Sequence, residues 1–249
     1  MNPEVVLVTG ASSELGRELI ARLACSAAPE RVILAHYFTN PSVLPQDNRV
    51  VPLQADFGDA ETVQRMAERV LADFGAPHKI VHLPAARLRY ERFTKFDPAH
   101  FDRDFSIQFR SIVTLLSAFL PVAVRARKQL TADGNAKVVF VLSSVVIGAP
   151  PKYMSMYTTA KYALLGLMRS LAAEYADSRV NVNAVSPSMM ETQFLASIPA
   201  KAIELSAAVN PTGRNAATGD VAPIIEFLLS PESDYINGAN IPVTGGATF

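Results

Sequence analysis

Val138-Val139-Phe140-Val141-Leu142-Ser143-Ser144-Val145-Val146-Ile147-Gly148-Ala149-Pro150-Pro151-Lys152-Tyr153-Met154-Ser155-Met156-Tyr157-Thr158-Thr159-Ala160-Lys161 joins a strand to a helix, and the rest of the chain is arranged around it. Its first five residues are apolar and rich in β-branched side chains, the pattern of a short strand buried on both faces. Its end opens a helical pattern from Tyr157 to Tyr175, with Leu164, Leu165, Leu167, Met168 and Leu171 at helical spacing. Tyr157 and Lys161 lie four residues apart, so on a helix they stand one turn above the other on one face. Ser144, thirteen residues before Tyr157, lies at the strand's carboxyl end, where open α/β sheets bind their ligands.

That trio has readable chemistry. A tyrosine hydroxyl ionises near ~10, too high for efficient acid–base work at neutral pH. A neighbouring ammonium favours the phenolate and lowers that value. A serine hydroxyl can hydrogen-bond a carbonyl oxygen while Tyr157 donates its proton. A Tyr and a Lys four apart are common on helices that do nothing, so the weight rests on Ser144, the loop and the remaining chain.

The chain has 249 residues, 49% of them hydrophobic and 18% charged, which suits one large α/β domain over 1–249. A formal net charge of +0 implies no general attraction to nucleic acid or acidic surfaces. The one cysteine, Cys25, excludes an internal disulfide and reads as a packing residue beside Leu19, Ile20, Leu23 and Ala24. Met1 to Thr9 has no basic start and becomes a strand at once, and the longest apolar window, 112–124, is short for a bilayer and contains Pro121. A cytoplasmic protein with no membrane partner is the expectation.

Taken in order, Val5 to Thr9 reads as a buried strand, Gly10-Ala11-Ser12-Ser13-Glu14-Leu15-Gly16 as a turn, and Arg17 to Ser26 as a helix. A glycine turn at a helix amino end is an anion site, because unpaired N–H groups and the helix dipole face it. Further strands are expected at Arg31–His36, Val50–Ala55 and Lys79–Leu83, with an amphipathic helix from Gly58 to Phe74. The second strand ends in His36-Tyr37 with no acid to hold a ribose 2′-hydroxyl, which leans toward NADP; His36 reads equally as a plain strand-end residue. Arg87 to Lys95 is a basic, aromatic loop that is either solvated or the rim of a cleft. A long helix is expected from Pro98 to Leu130, kinked or closed at Pro121, then a turn over 131–135. Arg179–Val185, a helix from Gly219 to Ser230 and a last strand at Asn240–Val243 complete the pattern. Residues 188–209 are apolar but irregular and stand as a candidate substrate flap. The prolines of Ala149 to Met154 stiffen one pocket wall, and Tyr153, Met154, Met189 and Met190 point to an apolar, adaptable pocket.

The ordered set Thr9-Gly10-Ala11-Ser12-Ser13…Gly16, Asp56, Ser144, Tyr157-x-x-x-Lys161, Val182 to Pro187, Thr192, Gly213-Arg214 and Ile236-Asn237-Gly238…Gly245-Gly246 resembles the classical short-chain dehydrogenase/reductase family along essentially the whole chain. The 3-oxoacyl-carrier-protein reductase type is the nearest in look. The resemblance implies a doubly wound, Rossmann-type parallel sheet of seven strands with helices on both faces. It implies a nicotinamide cofactor, NADP(H) rather than NAD(H) on the second-strand reading above, and a homotetramer built on the two long central helices and the last strand; no metal is expected. Tyr157 would be the general acid/base, Lys161 its tuner, Ser144 the carbonyl's partner and Gln108 the long helix's relay residue. The cofactor would rest on Gly10, Ser12, Ser13, Glu14, Leu15 and Gly16 at the turn, and on His36 and Tyr37 after the second strand. Asp56 and Phe57 would hold the adenine. His82, Leu83 and Pro84 would follow the fourth strand, and Pro187, Ser188, Met190 and Thr192 would close on the nicotinamide half, beside Tyr157 and Lys161.

Four departures mark this chain. Glu14 replaces the family's second turn glycine and sets a carboxylate where phosphates bind; it either repels them or reaches a ribose hydroxyl. His82-Leu83-Pro84-Ala85 replaces Asn-Asn-Ala-Gly. Gln108 stands for an asparagine, and Ser188 for a glycine. Two readings follow: an NAD(P)H-dependent ketoreductase acting on a specialised or carrier-bound ketone, or a weakly binding, reductase-like partner subunit. The intact trio favours the enzyme. Arg125, Arg127, Lys128 and Arg179 are placed as a family member's carrier-docking cations would be.

Overall fold

Seven strands, β1 (Glu4–Thr9), β2 (Arg31–Tyr37), β3 (Val50–Gln54), β4 (Lys79–His82), β5 (Ala136–Val141), β6 (Val180–Pro187) and β7 (Asn240–Val243), form one sheet in a computed structural model. The structure describes residues 3–25, 30–128 and 134–248. Strand order is β3-β2-β1-β4-β5-β6-β7, and every pair is parallel. The order reverses between β1 and β4, so a crevice opens beyond their carboxyl ends, at Gly10 and Leu83.

Both faces of the sheet are covered, which is why β5 and β6 are buried along their whole length. On one face α1 (Glu14–Cys25) and α7 (Thr218–Leu229) bury Leu19, Ile20, Leu23, Val221, Ile225 and Leu228. On the other lie α2 (Ala60–Phe74), α4 (Ser111–Lys128) and α5 (Ser155–Glu174), with Val63, Val70, Ile112, Phe119, Leu164 and Met168 at the core. Asp59 caps α2 by accepting from the Glu61 N–H, and Gly75, at φ 75°, lets the chain leave it. Burial of each large aliphatic side chain is worth about 1.5–3 kcal/mol.

The single long helix expected before β5 is built differently. α3 (Pro98–Phe105) passes through one π-helical turn, Ser106–Arg110, into α4. The Ser111 N–H bonds back to the Ser106 carbonyl, five residues earlier, and the Gln108 carbonyl of this turn meets a side chain outside the helix, His82. Pro121 does not end the helix; α4 runs through it to Lys128. The helical segment Pro98–Ala126, with a window mean hydropathy of 1.7, is long and apolar enough to cross a membrane by composition, unlike the shorter 112–124 window; its Ile112–Leu116–Phe119 side is in the core against α2. Cys25 is exposed rather than packed, because it lies one step of about 100° beyond Ala24 on the helix. The irregular stretch after β6 contains a helix of its own, α6 (Ala200–Val209). Ser26 at the end of the first expected helix, residues 129–130 of the expected long helix, 131–133 of the expected turn, Phe249, and the side chains of Arg127 and Lys128 lie outside the described residues.

Candidate active site

The helical pattern beginning at Tyr157 belongs to α5, whose first two turns present Tyr157 and Lys161 to the carboxyl end of β5. The Lys161 ammonium is buried and donates to the Val141 carbonyl at 3.0 Å. Its Nζ lies 5.6 Å from the centre of the Tyr157 ring. Burial pulls Lys161 down to about 8. Burial pushes Tyr157 up to about 12, against a hydrogen bond from the Ser143 hydroxyl that lowers it. In the free protein loss of hydration dominates at both groups and favours their neutral forms. Ser144 lines the same cleft, and so does its neighbour Ser143, which receives the Val145 N–H at 3.4 Å and starts the turn Ser144–Val146.

From these groups a cleft of about 1330 Å³ runs along the carboxyl edge of the sheet to the turn after β1. Gly10, Ser12, Ser13, Glu14 and Leu15 line one wall. Gly10 has φ +70° and Gly16 packs so tightly that a Cβ would stand 2.7 Å from the Ala11 carbonyl oxygen, so both positions require glycine. Two polar atoms bordering the cleft are buried without a partner among the described residues: Arg17 Nε and Ser188 Oγ. A glycine-built turn, a helix amino end and unpaired polar atoms facing a long cleft fit a phosphate-bearing dinucleotide.

The end of the cleft beside β2 and β3 is more heavily engaged than its sequence suggests. His36 borders the cleft, but its Nδ1 accepts from the Gly10 N–H at 3.0 Å and its Nε2 donates to the Ala55 carbonyl at 3.1 Å. The ring stacks on Phe57 at 3.8 Å, and burial brings its pKa down to about 4. It is a neutral strut for the turn, so it brings no positive charge to a 2′-phosphate. Asp56 already accepts from the Gly58 N–H at 2.8 Å and pairs with Arg103 of α3 at 3.1 Å.

His82, Gly16, Tyr37 and Gln108, all expected at the site, are not in the cleft lining. Tyr37 continues β2, and Gly16 is the floor of the turn. His82 is wholly buried; its Nε2 bonds the Gln108 carbonyl at 2.8 Å and its Nδ1 meets the Thr9 hydroxyl at 3.0 Å. A carbonyl only accepts, so Nε2 carries the proton, and burial holds the ring neutral with a pKa of about 3. The Gln108 side chain faces a separate chamber of about 40 Å³ beside α3, and its Oε1 is buried without a partner among the described residues. Tyr153, at φ 67°, turns out of the cleft onto Tyr90.

Leu83, Pro84, Pro187, Ser188, Met190 and Thr192 do line the cleft. Around Tyr157 an apolar cluster joins Leu88 of the basic loop, Met154, Met189, Phe194, Leu195 and Ile198. Phe194 lies 5.9 Å from the Tyr157 ring. Two hydrogen bonds cross the cleft mouth from residues 188–209: Ser197 Oγ donates to the Leu88 carbonyl, and the Gln193 N–H donates to the Glu14 carboxylate at 3.0 Å. Arg17, Arg103, Ser143 and Gln193 carry no local motif. Only Arg17, three residues after Glu14 on one helix face, left a signal in the sequence.

A family model described as enoyl-(acyl carrier protein) reductase matches residues 36–248. The (3R)-3-hydroxyacyl-CoA dehydrogenase of Canis lupus familiaris is 29% identical over 254 residues, covering 97% of this chain and 95% of that protein. The crystal structure of levodione reductase superposes with a TM-score of 0.84 at 25% identity, covering 99% of this chain and 98% of the other. A 3-ketoacyl-(acyl-carrier-protein) reductase from Brucella melitensis, solved with NADH, shares the fold with a TM-score of 0.85 at 22% identity, over 100% and 99% of the two chains.

Proposed function

We propose, from the premise that the chain belongs to the short-chain dehydrogenase/reductase family of NAD(P)-dependent oxidoreductases, that it reduces a ketone with Tyr157 as the proton donor. The observation that carries this is the convergence of Ser143, Ser144, Tyr157 and Lys161 on one cleft that continues to the phosphate turn. The dihydronicotinamide, when bound, supplies the hydride to the carbonyl carbon. Tyr157 supplies the proton to the carbonyl oxygen. Its raised pKa keeps the phenol fully protonated at neutral pH, which is the form a donor needs. Ser144 holds the carbonyl oxygen, and Ser143 together with the Lys161 ammonium stabilises the phenolate left behind.

The turn, Asp56, Phe57, Leu83, Pro84, Ser188, Met190 and Thr192 would hold the dinucleotide. His82 and Gln108 would act on the site only through the backbone they tie together. The lack of a carboxylate after β2 supports NADP(H) over NAD(H); neutral His36 adds nothing to that preference. Residues 188–209 would be the substrate flap, and the apolar cluster at Tyr157 suits a ketone with an apolar body, a 3-oxoacyl thioester among them. Replacement Tyr157→Phe tests the reading on apolar ketones. Turnover should fall at least about 100-fold with cofactor affinity within about twofold of wild type. Full turnover in that variant would remove Tyr157 from the chemistry.

A further inference from the structure

Glu14 sets a carboxylate at the turn where phosphates would bind, a position at which like charge opposes the ligand. The structure shows where that carboxylate goes. Both of its oxygens accept from the Gln193 N–H, at 3.0 and 3.3 Å. Gln193 opens the short turn Gln193–Leu195, and Thr192 before it makes no side-chain cap bond. Glu14 supplies the missing cap from the opposite wall of the cleft.

Arg17 follows three residues later, on the same face of α1. It lines the same cleft, and its buried Nε has no hydrogen-bond partner among the described residues. The turn is also short of free donors, because the Gly16 N–H is already taken by Ser13 Oγ at 3.1 Å. A buried guanidinium N–H without an acceptor is unfavourable until a ligand oxygen reaches it. A forked cation suits phosphate oxygens better than any other side chain.

On the nicotinamide-dinucleotide reading above, we propose that Arg17 is a cofactor-binding residue. Its guanidinium takes phosphate oxygens of the dinucleotide and offsets the carboxylate of Glu14, which the Gln193 amide holds on the flap side of the cleft. The edited turn thus keeps its affinity for phosphates by adding a cation from the next turn of the helix.

Calorimetric titration of the full chain with ADP and with adenosine tests this without any need for turnover. Arg17→Gln should weaken ADP binding by about 10- to 100-fold and leave adenosine unchanged, with Arg17→Lys between the two. Glu14→Gln keeps an acceptor for the Gln193 N–H and removes the charge, so it should tighten ADP. Wild-type ADP affinity in Arg17→Gln would overturn the proposal. So would an equal loss of ADP and adenosine in both Arg17 variants, which would make the residue structural. Arg17-dependent ADP binding by a protein that reduces no ketone would sink the ketoreductase reading and leave this inference standing; turnover with unchanged ADP affinity in Arg17→Gln would do the reverse.

Discussion

Burial acts in opposite senses on Tyr157 and Lys161, one turn apart at the start of α5. It raises Tyr157 to about 12 and lowers Lys161 to about 8, so in both it favours the neutral form. Only Lys161 then changes charge near neutral pH. Ketone reduction is expected to stay level below about 8 and to fall above it, as the ammonium that steadies the phenolate is lost. Lys161→Met should lower turnover and abolish that alkaline limb, read from the pH profile of kcat/KM, which reports groups of the free enzyme. An unchanged limb in Lys161→Met would assign it to another group. The same residues show the reach of local pattern: Tyr157, Lys161 and Ser144 were legible because helix spacing and strand ends are short-range signals. Ser143 was not, since only the path of the turn after β5 brings both adjacent serines to the cleft.

At the scale of elements, the strands and most helices followed from periodicity, and the edited positions did not. His36 and His82 read as candidate ligand contacts because each ends a strand at the binding edge. Their partners, Gly10, Ala55, Thr9 and Gln108, come from other strands and from a π-turn that no local residue announces. Likewise Glu14 and Gln193 are 179 residues apart, and Arg103 and Asp56 are 47 apart. The buried histidines have a measurable consequence. Their folded pKa values, about 4 and about 3, lie below the unfolded value of 6.5. The unfolded chain therefore binds more protons below 6.5, and stability is lost as pH falls. From pH 7 to pH 5 the pair should remove about 3–4 kcal/mol, a sizeable share of the roughly 5–15 kcal/mol typical of a domain. Urea midpoints at the two pH values would show it; equal midpoints would mean that one or both rings are protonated in the fold.

The whole molecule places its chemistry where the order of strands reverses, and its outer helical face carries exposed apolar side chains. Val113 of α4 is 37% exposed and Tyr162 of α5 45%. A homotetramer built on these helices should sediment at four times the 26.9 kDa chain mass, and Tyr162→Glu should shift it toward smaller species. A wild-type protein that sediments as a single chain would contradict that assembly. The account as a whole stands on the cleft accepting a nicotinamide dinucleotide despite Glu14 and the His82-Leu83-Pro84-Ala85 replacement. Its most direct test is equilibrium titration of the purified protein with NADPH and with NADH, followed by nucleotide fluorescence at low salt. Binding of one of them in the micromolar range is the predicted result; no binding of either up to about millimolar would contradict it.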